Sequence, residues 1–367
     1  MDARDWTYST TTTTIATIGI LVNSIVIVPN VWRVRSLTPS SLLIVCLCCS
    51  DSLLLSNYLT LAATHLRRGD LEYNPIICQI HGFLITFGAL WSLGLCTGLT
   101  LFRYIIIIHK KTVSHRFAYA YLFGTATFCA LLAGLPFICN AGDRIYVLHQ
   151  THMNCTVAWS NTDTTTRVIS WICISVLLIP VSSMGVAYIR IYSEVSKVFG
   201  AYSKSAVVTG DDLSGNQQRG SKTINQDSKH QEGHRPSRVA TNPCKETNET
   251  TGTVESMKPS VDEESLQPPK MLKKRKLREE EAKQMALLMQ SIAIVGVFLM
   301  GWTPFLFATV YEIITGTKAH PDFEFAGEMF VAMNDLLNPV VVMVFDDKIR
   351  RNVIQFFTCA EDEKTSY

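Results

Sequence analysis

The residues best equipped for chemistry in this chain sit where polarity is costly. Asn334-Asp335-Leu336-Leu337-Asn338-Pro339 lies inside an apolar stretch. Asp51 ends the run Leu47-Cys48-Cys49-Ser50-Asp51, and Trp302-Thr303-Pro304 interrupts a third apolar segment. Lipid offers such groups no hydrogen bonds, so they are expected to face protein or water and to have a task there. A buried carboxylate must pair, take up a proton or hold a cation. The chemistry expected is therefore ion or proton binding coupled to a change of shape, in a polar core running through a helix bundle. No set of nucleophile, base and orienting group stands out, so no catalytic residues are assigned and an enzyme is not expected.

The elements that position these residues follow from the apolar pattern. The chain has 367 residues, 47% of them hydrophobic, with a net charge of +2. Apolar runs fill residues 12–200 and 285–345, with a polar block between. Runs of about 18 or more apolar residues read as membrane-crossing helices. There are seven, at about 12–33, 41–63, 76–107, 118–139, 167–197, 280–315 and 323–345. Buried helices of a large soluble protein fit poorly, because several runs are nearly free of charge. The fold class expected is an all-α membrane protein, a seven-helix transmembrane bundle with a short amphipathic eighth helix. That last helix is read from residues 345–357, where charges alternate with Ile349, Val353, Ile354 and Phe356 to leave one apolar face suited to the inner leaflet.

Basic residues follow the odd-numbered spans: Arg33 and Arg35, then Arg103, Lys110, Lys111 and Arg116, then the run Lys270 to Arg278. This predicts an N-terminus outside and a C-terminus inside. The first span has no basic segment or clear cleavage site before it and reads as a signal anchor. The expected organisation is a short external N-terminus (1–11), spans one to five (12–199), and a disordered, polar third inner loop (200–268). Spans six and seven follow with a cytosolic extension of the sixth (269–345), then the amphipathic helix and tail (346–367). Eleven cysteines, an odd number, exclude a fully paired disulfide framework. Cys78 and Cys155 fall on the oxidising outer side and are expected to pair, with Cys139 as rival partner. Cys359, beyond the amphipathic segment, is either a palmitoylation site or an ordinary thiol.

Read in order, the motifs resemble those of the rhodopsin-like (class A) G-protein-coupled receptors. Asn23-Ser24-Ile25-Val26 is similar to the family's Asn-x-x-Val, and Leu47 with Asp51 to its Leu-Ala-x-x-Asp. Phe102-Arg103-Tyr104 resembles the Asp/Glu-Arg-Tyr motif, and Cys78 lies 25 residues before Arg103, the family's spacing for its disulfide cysteine. Pro180 and Tyr188 match the fifth span, Phe298 and Gly301-Trp302-Thr303-Pro304 the sixth, and Asn338-Pro339 the seventh.

The resemblance implies roles for these positions. Asp51, Ser92, Asn334, Asp335 and Asn338 match the positions that hold a sodium ion in the family, with Asp51 and Ser92 as its metal ligands. Asp335 replaces a more usual serine and adds a second carboxylate. Arg103, Tyr188, Phe298, Trp302, Pro304 and Pro339 match the activation switch. Residue by residue, blander alternatives stay open: Arg103 snorkelling to phosphates, and Trp302 as plain packing. The matching ligand pocket comprises His81, Ile85, Thr86, Ala89, Ile172, Trp302, Phe305, Leu306, Thr309, Phe325, Glu328 and Met329, with Cys173 and Val176 beside them. Glu328 either meets a cationic ligand group, pairs with His81 or reaches water. Ala332 stands where opsins carry their retinal lysine, Ile85 where aminergic receptors carry aspartate, and Met329 where prostanoid receptors carry arginine. No cofactor is expected beyond Na+ as an allosteric ion, and no retinal.

The chain departs from the family pattern at Phe102, which replaces an acidic neighbour of the arginine, and at Gln284, where many members have an acidic partner. Val342 replaces a tyrosine, and Ala126 occupies about the place of a tryptophan in the fourth span. Arg103 is thus expected to lack both usual restraints, which raises basal activity. The function expected is relay of an extracellular ligand's binding to a heterotrimeric G protein at the plasma membrane. Receptor kinases and arrestin-like proteins are further partners, and no nucleic acid is expected. A seven-span scaffold or decoy receptor is the nearer rival and an ion-conducting transporter the more distant. Asn154-Cys155-Thr156 is an external glycosylation sequon whose occupancy its cysteine puts in doubt.

Overall fold

The computed structural model describes residues 3–68, 75–139, 141–149, 151, 154–214 and 269–358. Seven long helices dominate them: α1 (Ala3–Trp32), α2 (Pro39–Arg68), α3 (Pro75–Ile108), α4 (His115–Ile138), α5 (Thr164–Ser214), α6 (Pro269–Thr315) and α7 (Pro321–Phe345). The amphipathic α8 (Asp347–Thr358) follows. All seven long helices contain a window long and apolar enough to cross a membrane. Helices are what such sequences must form, since each satisfies its own backbone hydrogen bonds. Between α4 and α5, β1 (Tyr146–Leu148) and β2 (Cys155–Val157) pair antiparallel, Tyr146 opposite Val157 and Leu148 opposite Cys155.

The helix starts differ from expectation in one instructive place. The Thr-rich residues ahead of the span expected from about residue 12 are helical from Ala3. Thr7, Thr10, Thr14 and Thr17 each donate their hydroxyl to the carbonyl four residues back. A hydroxyl so satisfied leaves the helix intact. Helix α5 likewise runs to Ser214, beyond the expected span. Residues 215–268 of the expected loop, and Cys359, lie outside the described residues.

Two units are distinguished: residues 1–196 with 279–367, and residues 197–278. The second comprises, in its described part, the end of α5 and the start of α6. Within the first, α2 is the most enclosed helix: 67% of its apolar window is buried, against 22% for α4 and α5. Leu43, Leu47, Leu93, Leu95 and Phe298 are among the packed core. Leu21, Phe123, Ile179, Ile189, Phe307 and Phe330 are exposed, as apolar side chains facing lipid should be. Gly301 lets α6 approach α7, since a Cβ there would lie 2.7 Å from the Cβ of Asn334.

Candidate functional site: a capped cavity above a polar column

The column begins in the middle of the bundle. Helix α2 supplies Asp51, fully buried. Ser92 Oγ on α3 donates to Asp51 Oδ1 at 3.1 Å, and Asn338 Nδ2 on α7 to Asp51 Oδ2 at 2.9 Å. Asn334 Nδ2 donates to Asp335 Oδ1 at 3.1 Å, and Asn23 Nδ2 of α1 to the Asp335 carbonyl at 3.0 Å. Asp335 lies close enough to Asp51 for their charges to interact. All five residues matched to the family's ion site therefore come together, drawn from three helices.

Acceptors outnumber donors in this cluster. Asp335 Oδ2, Asn334 Oδ1, Asn338 Oδ1 and Asn23 Oδ1 are buried with no protein hydrogen-bond partner among the described residues. Buried acceptors are normally satisfied, and two buried carboxylates need positive charge or protons. Hard oxygen donors of this kind suit Na+, so the residues fit the ion that the resemblance implies.

Toward the disulfide end, Trp302 stacks on Phe298 at 5.6 Å and meets Phe305 edge-on at 5.8 Å. Above Trp302 is a cavity of about 50 Å³, lined in part by Ile85, Thr86, Ala89, Cys173, Trp302 and Phe305. That is room for a few waters, so any larger occupant must move the walls. Asn154 and Thr156 of the β-hairpin close it from above. The hairpin is tied to α3 by the Cys78–Cys155 disulfide, whereas the rival Cys139 is an exposed free thiol.

The hairpin is also latched to α7. His149 Nε2 lies 3.1 Å from Glu324 Oε2, and His149 Nδ1 3.3 Å from Glu328 Oε1. Asn154 Nδ2 donates to Glu328 Oε1 at 2.7 Å, and Thr151 Oγ1 sits 3.5 Å from Glu328 Oε2. Glu312 of α6 faces the same small space. Burial disfavours a charged His149, but Glu328, Glu324 and Glu312 outweigh it, and the imidazole is pushed above its ordinary value.

This geometry corrects several expectations. Glu328 does not pair with His81; loop residues take it, and His81 Nδ1 instead meets Asn57 Oδ1 at 3.0 Å. Ile172 is 38% exposed and does not line the cavity, while Cys173, expected beside it, does. Leu306 and Val176 pack against the apolar core. Phe325 and Met329 face α1 instead: Phe325 stacks on Tyr8 at 3.9 Å, and Met329 Sδ accepts from Thr12 Oγ1 at 3.8 Å. Thr309, with Glu328, lines the space under His149. The Asn154 amide, where a glycan would attach, is buried against Glu328, leaving no room for a sugar.

Toward the α8 end, Arg103 is buried, and Nη2 donates to Gln290 Oε1 of α6 at 3.1 Å. Arg103 Nε and Gln290 Nε2 have no protein partner among the described residues. Arg103 and Tyr188 line one small space. Phe102 packs on Phe117 and Tyr121 of α4, at 5.7 and 5.9 Å. The arginine thus does have a restraint, a neutral one that sequence reasoning missed by looking at Gln284. A lone amide among the apolar residues of the sixth span was the available signal. His149, Glu324 and Glu312 were missed too, and nothing local in the sequence marks them as partners. Pro304 and Pro339 sit inside α6 and α7, where each removes a backbone hydrogen bond.

The comparisons agree with this architecture. The family model for seven-transmembrane receptors of the rhodopsin family matches residues 22–341. No curated protein matches the chain. Among solved structures, squid rhodopsin is similar with a TM-score of 0.70 at 19% identity, over 99% of this chain and 89% of that one. That likeness concerns the fold; the family assignment comes from the sequence model, which spans most of the chain. The family is one of signalling receptors and not of enzymes, and this chain belongs to it: it is a rhodopsin-family, seven-transmembrane G-protein-coupled receptor.

Proposed function

We propose that the chain resides in the plasma membrane with its N-terminus outside, binds an extracellular ligand beneath the β-hairpin, and relays that event to a heterotrimeric G protein. The observation that carries the reading is the continuity of the column. The capped cavity touches Trp302, Trp302 stacks on Phe298, and the Asp51 cluster and the Arg103–Gln290 contact lie along the same bundle. A ligand acts by binding one arrangement of such a column better than another. Ala332, buried on α7, offers no amine to a retinal aldehyde, so a diffusible ligand is favoured.

Na+, held by Asp51, Asp335 and the side-chain oxygens of Ser92, Asn334 and Asn338, would supply a positive charge that favours the closed arrangement. Basal signalling is raised, because Arg103 is held by one bond to a neutral amide rather than by a carboxylate. Receptor kinases and arrestin-like proteins act after activation. A G-protein dissociation panel at matched surface expression, without ligand and then with a ligand library, tests the reading. Ligand-free dissociation above mock-transfected cells, abolished by Arg103→Ala, is expected. Dissociation equal to mock and unaffected by Arg103→Ala, with a ligand bound but silent, favours the decoy reading instead.

A further inference from the structure

The cavity beneath the hairpin has a chemistry that narrows what it can hold. Leu54 of α2, Ile85 and Leu90 of α3, Leu177 of α5, Phe305 of α6 and Val331 of α7 give it an apolar wall. No lysine, arginine, histidine, aspartate or glutamate lines it among the described residues. An ion taken out of water and left without a counter-charge is strongly disfavoured, so the wall selects against charged occupants.

Polar atoms remain on that wall with bonds to give. Trp302, 4% exposed, and Trp159 each keep a buried indole Nε1–H without a protein partner among the described residues. Asn154, 2% exposed, keeps its Oδ1 in the same condition, while its Nδ2 donates to Glu328. All three residues line the cavity. Buried groups of this kind are normally satisfied. The two unmet donors ask for an acceptor oxygen, and the unmet acceptor for a hydroxyl or amide hydrogen.

The carboxylates lie in a separate space. Glu312, Glu324 and Glu328 line it with His149, and it shares only the wall of Thr156, Trp159 and Phe305 with the cavity. It holds about 10 Å³, roughly one water. Its carboxylates already have partners: besides the latch contacts, Glu312 Oε1 accepts from the Ala319 amide at 2.9 Å. A cationic group reaches them only by displacing His149 and Asn154. A route that spares the latch runs through the bilayer. Cys173 and Leu177 of α5 line the cavity, while Trp171, Leu178 and Ile179 of the same helix are exposed. Only an uncharged molecule dissolves readily on that side.

We propose that the ligand is an uncharged, bilayer-soluble molecule: an apolar body carrying a carbonyl or hydroxyl oxygen that accepts from the indole N–H of Trp302 or Trp159. The proposal rests on the reading that the ligand sits beneath the hairpin, and it names the chemical class.

The test uses full-length receptor in phosphatidylcholine nanodiscs and probes built on one ring: cyclohexyl methyl ketone, ethylcyclohexane, cyclohexylmethylammonium and cyclohexanecarboxylate. Titrating each against the unfolding midpoint gives an apparent dissociation constant. The ketone is expected to bind saturably, ethylcyclohexane about fivefold more weakly, and the two ions at least about tenfold more weakly. Ala89→Leu, which adds bulk inside the cavity, should remove the saturable binding; Ala89→Val takes its place if that receptor does not fold. Trp159→Phe and Trp302→Phe keep a ring and delete the N–H. At least one of them should reduce the ketone to the affinity of ethylcyclohexane, with ethylcyclohexane itself unchanged within about twofold. Ions that bind as tightly as the ketone, through a site that Ala89→Leu abolishes, overturn the uncharged class and leave a ligand beneath the hairpin standing. A ketone that binds no better than ethylcyclohexane, or that keeps its advantage in both indole variants, overturns the proposal. Probe effects equal in the parent and a folded Ala89→Leu receptor count against the cavity itself, and so against the reading on which the proposal rests.

Discussion

The hairpin latch and the polar column are both buried clusters of carboxylates and amides, yet they are built to opposite ends. In the latch, Glu328 is met by Asn154, Thr151 and His149, and Glu324 by His149, and of these residues Asn154 alone keeps a buried atom, Oδ1, without a protein partner among the described residues. In the column, Asp335, Asn334, Asn338, Asn23, Arg103 and Gln290 each keep a buried polar atom without a protein partner among the described residues. A satisfied polar cluster rigidifies, whereas a half-satisfied one is high in energy and readily changes partners. The difference is one of degree: the carboxylates of the latch are met by partners, whereas the column beneath is left with more bonds still to choose.

The largest expected effect breaks the rigid side. Cys78→Ala opens a loop of 77 residues and should cost about 4 kcal/mol, seen as lost surface expression and a lowered unfolding midpoint. Wild-type expression would mean that the latch holds the hairpin unaided. Next, Glu328→Ala leaves His149 and Asn154 without their buried partner and should cost about 3 kcal/mol in thermal unfolding. A loss below about 1 kcal/mol would remove the contrast between latch and column.

The column is tested by ions. The parent should gain about 1.4 kcal/mol in NaCl over choline chloride at ten times the sodium dissociation constant. Asp51→Asn and Asp335→Asn should each abolish that difference. An equal response of parent and variants to both salts would rule out the ion site.

Titration sharpens the latch. His149 is raised above its ordinary value of 6.5, so its stabilising charge is fully present below that value and is lost as pH rises through the higher folded value. The unfolding midpoint of the parent should therefore fall from neutral toward alkaline pH more steeply than that of His149→Gln. Parallel curves would place the titration elsewhere. The smallest effect is on the column's far end. Gln290→Glu gives Arg103 a carboxylate partner and should lower ligand-free G-protein dissociation roughly three- to tenfold, about 1 kcal/mol. Unchanged or higher output would show that this contact does not hold the closed state.

Much of this was legible before any coordinates. The spans announced themselves by apolar length, Asp51 and Asn338 by the cost of polarity at their depth, and Ser92 by its match to the family's ion site. The start of the first helix was not: the first span was read from about residue 12, whereas the N-terminal threonines continue it upstream because each hydroxyl closes back on its own helix. Ile172 was misplaced because a helix face is set by rotation within the bundle, and one residue turns it by about 100°. Phe325 and Met329 were assigned inward for the same reason, while α7 in fact presents them to α1.

The sequence by itself determined that seven apolar helices cross a membrane, which residues would be polar within them, and the family to which their motifs conform. Those properties are local: they depend on length, composition and spacing along one segment. The Cys78–Cys155 pair was expected from the sequence, but only the tertiary structure decided that Glu328 takes His149 and Asn154, and that Arg103 takes Gln290. Each of those partnerships joins residues far apart in the chain. Which ones form depends on how the helices rotate against one another and where the hairpin lies, neither of which any single segment encodes.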